Sequence, residues 1–179
     1  MKNLTIAHRI LFMIAVSIVS LLLVGAAGLY VANRGSDSIK FIKDDSLASV
    51  RAIANARQAF MQMRTIVYAH ILAVDEDGKY TAAKRLDDKA AELAKILEGY
   101  QALVFEEEDK RLLEQDTRNL NLYVDAMKSK LFPLSNAFDM GGVRAVIITD
   151  LGPMAAKVEK GFDEHTEYNE RQTEVTAQN

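Results

Sequence analysis

An all-α fold, an antiparallel up-down-up-down four-helix bundle preceded by one transmembrane helix, is predicted by three observations. The first is an uncharged apolar run from Ile10 to Ala32. The second is a recurrence of mostly apolar residues at alternating spacings of three and four in the stretches that follow, the pattern of helices packed along a seam. The third is composition: two prolines, nine glycines and no tryptophan in 179 residues count against a sheet sandwich with many turns and favour long helices. Residues 36–179 are enough to bury roughly two thirds of their unfolded surface and to hold a core.

The apolar run would span about 34 Å as a helix, against a hydrocarbon thickness of roughly 30 Å. Lys2, Arg9 and the small residues Val24, Gly25, Ala26 and Ala27 also allow a cleaved secretory signal, but the run exceeds a signal's usual apolar length. Lys2 and Arg9 precede it, whereas Arg34 follows and is soon joined by Asp37, Asp44 and Asp45. The excess of basic residues on the N-terminal side places residues 1–9 in the cytoplasm, 10–32 in the inner membrane and 36–179 in the periplasm of a bacterium.

The first bundle helix is predicted over about 37–74, with a seam of Ile39, Ile42, Ser46, Ser49, Ile53, Ala56, Phe60, Met63, Val67, His70 and Val74. Only Gly35 stands between it and the membrane helix, so the two can run on as one. Asp75 to Gly78 ends it. A second helix, about 79–104, repeats the spacing at Ala83, Leu86, Ala90, Leu93, Leu97, Tyr100 and Val104. A third, about 107–137, opens on acidic residues that suit the positive end of a helix, and its seam is Leu113, Thr117, Leu120, Val124, Met127, Leu131, Leu134 and Phe138. Pro133 should bend or end its last turns. Asp139 can cap a fourth helix, about 140–179, carrying Val143, Ile147, Met154, Val158, Phe162 and His165, with a break near 149–153 at Gly152-Pro153. Short loops make successive helices antiparallel. Ser36 and Asn179 then share the membrane end, and an uncapped fourth helix implies a second span beyond Asn179.

From Ser36 onward 19 basic residues face 25 acidic ones, with no dense basic cluster, which argues against a nucleic-acid partner. The absence of cysteine excludes disulfides, thiolate metal sites and thiol nucleophiles. Neither His70 nor His165 has a glutamate three residues before it or an HExxH partner, and the phosphate-binding and nucleophile-elbow motifs are missing. The sequence therefore predicts no enzyme, no catalytic residue, no metal and no cofactor.

What remains is basic and hydroxyl character near the distal half of the bundle. Arg57 and Arg64 lie one heptad apart on the flank of the first helix, with Tyr68 and His70 just above, while Arg144 and Thr149 bracket the start of the fourth. Arginine suits bidentate carboxylate recognition, and hydroxyls can complete such a site. The same residues also read as a solvated flank with surface ion pairs, and His70 as a hydrogen-bonded interior histidine.

The chain resembles the N-terminal part of a bacterial methyl-accepting chemotaxis protein. The resemblance is carried by the opening Lys2-Asn3-Leu4-Thr5-Ile6-Ala7-His8-Arg9-Ile10-Leu11, the acidic start of the third helix followed by Tyr123, the passage Leu134 to Met154, and Asn169-Glu170-Arg171. It implies a homodimeric periplasmic sensor that binds a small carboxylate or amino acid and signals through the membrane to a cytoplasmic coiled coil, an adaptor and a histidine kinase. On the family's pattern Arg64, Arg57 and the segment Arg144 to Thr149 would contact the ligand. The same input module serves sensor kinases and cyclases, and a membrane-anchored structural bundle without ligand is a third reading.

Overall fold

The computed structural model describes the backbone of residues 6–41, 47–104 and 106–177, and side chains at 12–31, 47–104 and 106–175. All the described elements are helical. Helix α1 (Ile6–Phe41) continues through Gly35 without a break. Its stretch Phe12–Val31, 20 residues of mean hydropathy 2.5, is long and apolar enough to cross a membrane, and none of it is buried against the rest of the chain. Ile39, Ile42 and Ser46, the predicted start of the first seam, lie outside the described side chains.

Helix α2 (Leu47–Leu72) buries Ser49, Ile53, Ala56, Phe60, Met63, Val67 and His70, the seam its spacing predicts, and adds Ala59, Ile66 and Ile71. Val74 falls past its end and is exposed. Asp75 caps α3 (Glu76–Tyr100) by accepting the Gly78 amide at 2.7 Å, with Glu76 and Asp77 at the positive helix end. The residues read from sequence as a terminator are thus the cap and first turn of the next helix. A 3-10 turn, Gln101–Leu103, finishes this arm.

The third arm is α4 (Glu107–Ala126), a wide π turn (Met127–Leu131) and α5 (Phe132–Asn136). The fourth is α6 (Met140–Val146), a second π turn (Ile147–Leu151) and α7 (Gly152–Ala177). Near 149–153, where a break is predicted, the chain stays helical but its α-helical bonding is interrupted by this second π turn. Proline offers no N–H to the carbonyl four residues back and its ring crowds that carbonyl, so the turn before it widens. The Phe132 N–H reaches Met127 O ahead of Pro133, and the Gly152 N–H reaches Ile147 O ahead of Pro153. Four residues before each proline stands a hydroxyl that bonds back along the helix, Ser129 to Asp125 O at 2.6 Å and Thr149 to Ala145 O at 3.0 Å. Lys130 and Asp150, at matching places in the two turns, pair at 2.8 Å and tie them together.

The four arms form a ring in which α2 packs on α3 and α7, and α4 packs on α7, while α3 meets α4 only sparingly. The third seam departs from its prediction in two places. Thr117 is exposed and its neighbour Asp116 is buried, because the inward stripe of α4 is Asp109, Leu112, Leu113, Asp116, Leu120 and Tyr123. Phe138 is half-exposed in the turn between arms. At mid-height Phe60 meets Tyr123 and Phe162 edge to face, with ring centroids 5.2 and 6.4 Å away. Polar clusters lie on either side of this aromatic layer. One joins the end of α2, the start of α3 and α5; the other joins the end of α3, the start of α4 and the later part of α7. Those pairings fix the up-down-up-down order.

Candidate functional site

Two of the predicted residues meet at a cleft between α2 and the fourth arm. Its walls are Arg64, Val67 and Tyr68 of α2, Tyr123 of α4, and Ile147, Leu151, Gly152 and Ala155. The cavity of about 30 Å³ holds on the order of one water, so a larger ligand can present only a polar end to it and must lie at the mouth. Tyr68 is half-exposed there. Tyr123 is buried, and burial pushes its hydroxyl up to about 12, which keeps it neutral.

The Arg64 guanidinium is ion-paired with Glu159 of α7, both side chains about one third exposed. One heptad earlier Arg57 pairs with Asp163 at 2.8 Å, with both partners about half exposed. The two arginines therefore face α7 and already hold carboxylates. Pairs this accessible stabilise by roughly 0–1 kcal/mol each, so they can be exchanged without unfolding the bundle.

The remaining predicted residues stand apart from the cleft walls. Arg144 is exposed on α6, one turn before Ile147. Thr149 is exposed, and its hydroxyl is engaged by Ala145 O and by Asp150 Oδ2 at 3.1 Å. The proline four residues later explains that conformation.

His70 is buried in a distal cluster. Its Nδ1 is 3.1 Å from Ser135 Oγ and its ring stacks on Phe132 at 4.3 Å. The buried Lys79 ammonium donates to Ser135 Oγ at 3.0 Å and to His70 O at 3.1 Å, and the Phe138 ring lies 4.6 Å from it. Burial and the Lys79 charge hold His70 below its ordinary value, and burial lowers Lys79. A neutral ring accepting the Ser135 proton at Nδ1 fits both shifts.

Sequence reasoning placed His165 in a seam but found none of its partners. The ring is wholly buried, with Asp109, Asp116, Tyr100 and Asn169 making one hydrogen-bonded group around it. The signal available was the heptad spacing of Asp109 and Asp116, in register with Leu113 and Leu120 on the inward stripe of α4. Lys79 gave no such signal, since a lysine in the first turns of a helix usually belongs to water.

A comparison with curated proteins found no match. Among protein-family models, the one described as the four helix bundle sensory module for signal transduction matches residues 3–179. That span takes in the apolar helix and all four arms. With the antiparallel bundle and an apolar helix leading into it, the match means that the chain belongs to the family of four-helix-bundle sensory modules of chemoreceptors.

Proposed function

We propose that the chain is the sensing part of a chemotaxis receptor of the bacterial inner membrane, with α1 crossing the bilayer and residues 36–179 in the periplasm, and that it binds a small carboxylate or amino acid at the mouth of the α2–α7 cleft. The observation that carries this reading is Arg64, whose guanidinium stands at that mouth already holding the carboxylate of Glu159. Glu159 is a stand-in for the ligand. A free carboxylate that takes its place on Arg64 releases one of the ties between α2 and α7, and α7 is an arm that approaches α1. Tyr68 and the neutral Tyr123 hydroxyl supply polar contacts. Arg144, one helical turn from Ile147 in the cleft wall, serves the second carboxylate of a diacid.

A second copy of the chain closes the mouth. The outward face of α2 carries Leu47, Arg51, Ala54, Gln58, Met61, Thr65, Tyr68 and Leu72, all exposed and spaced alternately by four and three. This is a second seam beside the buried one. It supports a homodimer whose contact passes beside Tyr68. The cytoplasmic coiled coil, adaptor and kinase implied by the resemblance would receive the movement.

Calorimetric titration of the full chain in detergent with succinate, malate, citrate and aspartate tests the site. At least one should bind, and sedimentation should show association strengthened by that acid. Charge-assisted hydrogen bonds are worth roughly 1.5–3 kcal/mol, so Arg64→Ala and Arg144→Ala should each weaken binding by about 10- to 150-fold. Unchanged affinity in both variants would remove the site.

A further inference from the structure

The imidazole of His165 lies lengthwise between two aspartates of α4. Its Nδ1 is 2.7 Å from Asp116 Oδ2 and its Nε2 is 2.8 Å from Asp109 Oδ1. Asp109 and Asp116 are 4% and 1% exposed, and His165 is 0% exposed. One heptad separates the aspartates, about 10 Å along one face of the helix. A bare ring nitrogen facing a carboxylate oxygen would oppose two lone pairs, so each of these short contacts needs a proton. The ring and the two carboxylates together hold two, one more than a neutral imidazole brings.

We propose that His165, Asp109 and Asp116 form an internal proton-binding site whose occupancy fastens α7 to α4. The surrounding groups suit that role. From α3 the Tyr100 hydroxyl donates to Asp109 Oδ1 at 2.8 Å and accepts from Asn169 Nδ2 of α7 at 2.9 Å, and its ring meets the imidazole edge to face at 4.8 Å. From α2 comes the Ser49 hydroxyl, bonded to Tyr100, while Arg57 is turned out to Asp163. On α7 Glu164 lies close enough to oppose ionisation of Asp116, and Tyr168 is bonded to Glu106 at 2.9 Å. The basic residues of this part of α4, Lys110, Arg111 and Arg118, are all exposed, and Arg111 is held by Glu108 at 2.7 Å on the surface. No buried cation other than the imidazolium is therefore at hand to answer the two carboxylates among the described residues. The aspartates flank opposite edges of the ring instead of converging on one point, and no group of three histidine or carboxylate side chains among the described residues is placed to hold a metal ion.

Asp116 Oδ1 has no hydrogen-bond partner among the described residues and rests against Gly161, which has no Cβ to displace it. A buried carboxylate oxygen left so disfavours the full negative charge, and a shared proton relieves it. Burial works against the imidazolium, but the hydrogen bonds to Asp109 and Asp116 prevail and raise His165 above its ordinary 6.5. Burial raises Asp116 as well, against the pull of His165. Both shifts mean that the closed bundle binds more protons than the opened one. The stabilisation from the imidazolium is complete below about 6.5 and is lost as pH rises through the raised value. On the sensory reading proposed above, the proton then sets how firmly the output arm is held.

The test uses the full chain in detergent with ring-15N histidine, followed by NMR from pH 5 to 10 with no carboxylate ligand present. His8→Gln and His70→Gln identify the other two imidazoles, so the result does not depend on a His165 variant that folds. His165 should carry protons on both ring nitrogens at neutral pH and titrate above 6.5. Through that titration, opening of the α4 and α7 amides around Asp116 and His165 should increase by up to about tenfold per pH unit beyond intrinsic exchange, the linkage of one proton. A ring that titrates at or below 6.5, or amide protection that stays flat through its titration, overturns the proposal. Because no ligand is involved, that failure is separate from failure of the carboxylate site.

Discussion

Phe138 adopts a φ of 56°, the one non-glycine residue with a left-handed backbone among those described. It sits where a helix ends in paired turn bonds, Phe138 N–H to Ser135 O at 3.1 Å and Asp139 N–H to Leu134 O at 2.9 Å, and glycine is the usual occupant. A side chain there costs roughly 1–2 kcal/mol. The ring offsets it by covering the Lys79 ammonium, whose other contacts are His70 O and Ser135 Oγ. Such a cation–π contact is worth about 2 kcal/mol when desolvated. Phe138→Gly loses the contact and relieves the backbone, so it should stay within about 1 kcal/mol of the parent. Phe138→Ala loses the contact and keeps the strain, so it should fall roughly 1–2 kcal/mol below Phe138→Gly in urea unfolding. Equal stability of the two variants would show that the backbone there is unstrained. Periodicity placed Phe138 in the seam because it reports an apolar residue in register and is blind to the turn that carries the residue out of it.

Between elements, the sequence -Ser129-Lys-Leu-Phe-Pro133- and its counterpart -Thr149-Asp-Leu-Gly-Pro153- build the same device in neighbouring arms: a hydroxyl bonded back one turn, a π turn, then proline. Read alone, Gly152-Pro153 predicts a break, since both residues weaken a helix. The widened turn absorbs the missing N–H, and packing of Val143, Leu151 and Ala155 into the core holds the arm together. Gly152 is required there, because a Cβ would lie 2.9 Å from Ile147 O. Gly99 of α3 has nothing within 4 Å of its would-be Cβ. The same substitution should thus have opposite signs. Gly99→Ala should stabilise by about 0.5–1 kcal/mol on helix propensity, and Gly152→Ala should destabilise by roughly 1–3 kcal/mol by overpacking, both read by thermal unfolding. A stabilising Gly152→Ala would mean that the turn is an ordinary α-helical one.

Over the whole molecule the bundle is layered: a distal cluster around His70 and Lys79, an aromatic middle of Phe60, Tyr123 and Phe162, and a second polar layer around His165. The seams that make the bundle were legible, because a spacing of three and four survives any choice of partner. Arg64 and Tyr68 were legible as a pair on one flank for the same reason. Glu159, the partner of Arg64, and the lysine-serine-histidine cluster were not, since which helix faces which flank depends on loops and turns that one sequence does not rank. That partnership is the centre of the functional account, in which Glu159 occupies Arg64 in place of the ligand. Glu159→Gln removes the internal competitor and leaves the arginine. A partly exposed pair contributes up to about 1 kcal/mol, so the acid that binds the parent should bind this variant about two- to fivefold more tightly by calorimetry. Affinity that is unchanged or weaker in Glu159→Gln would contradict the account.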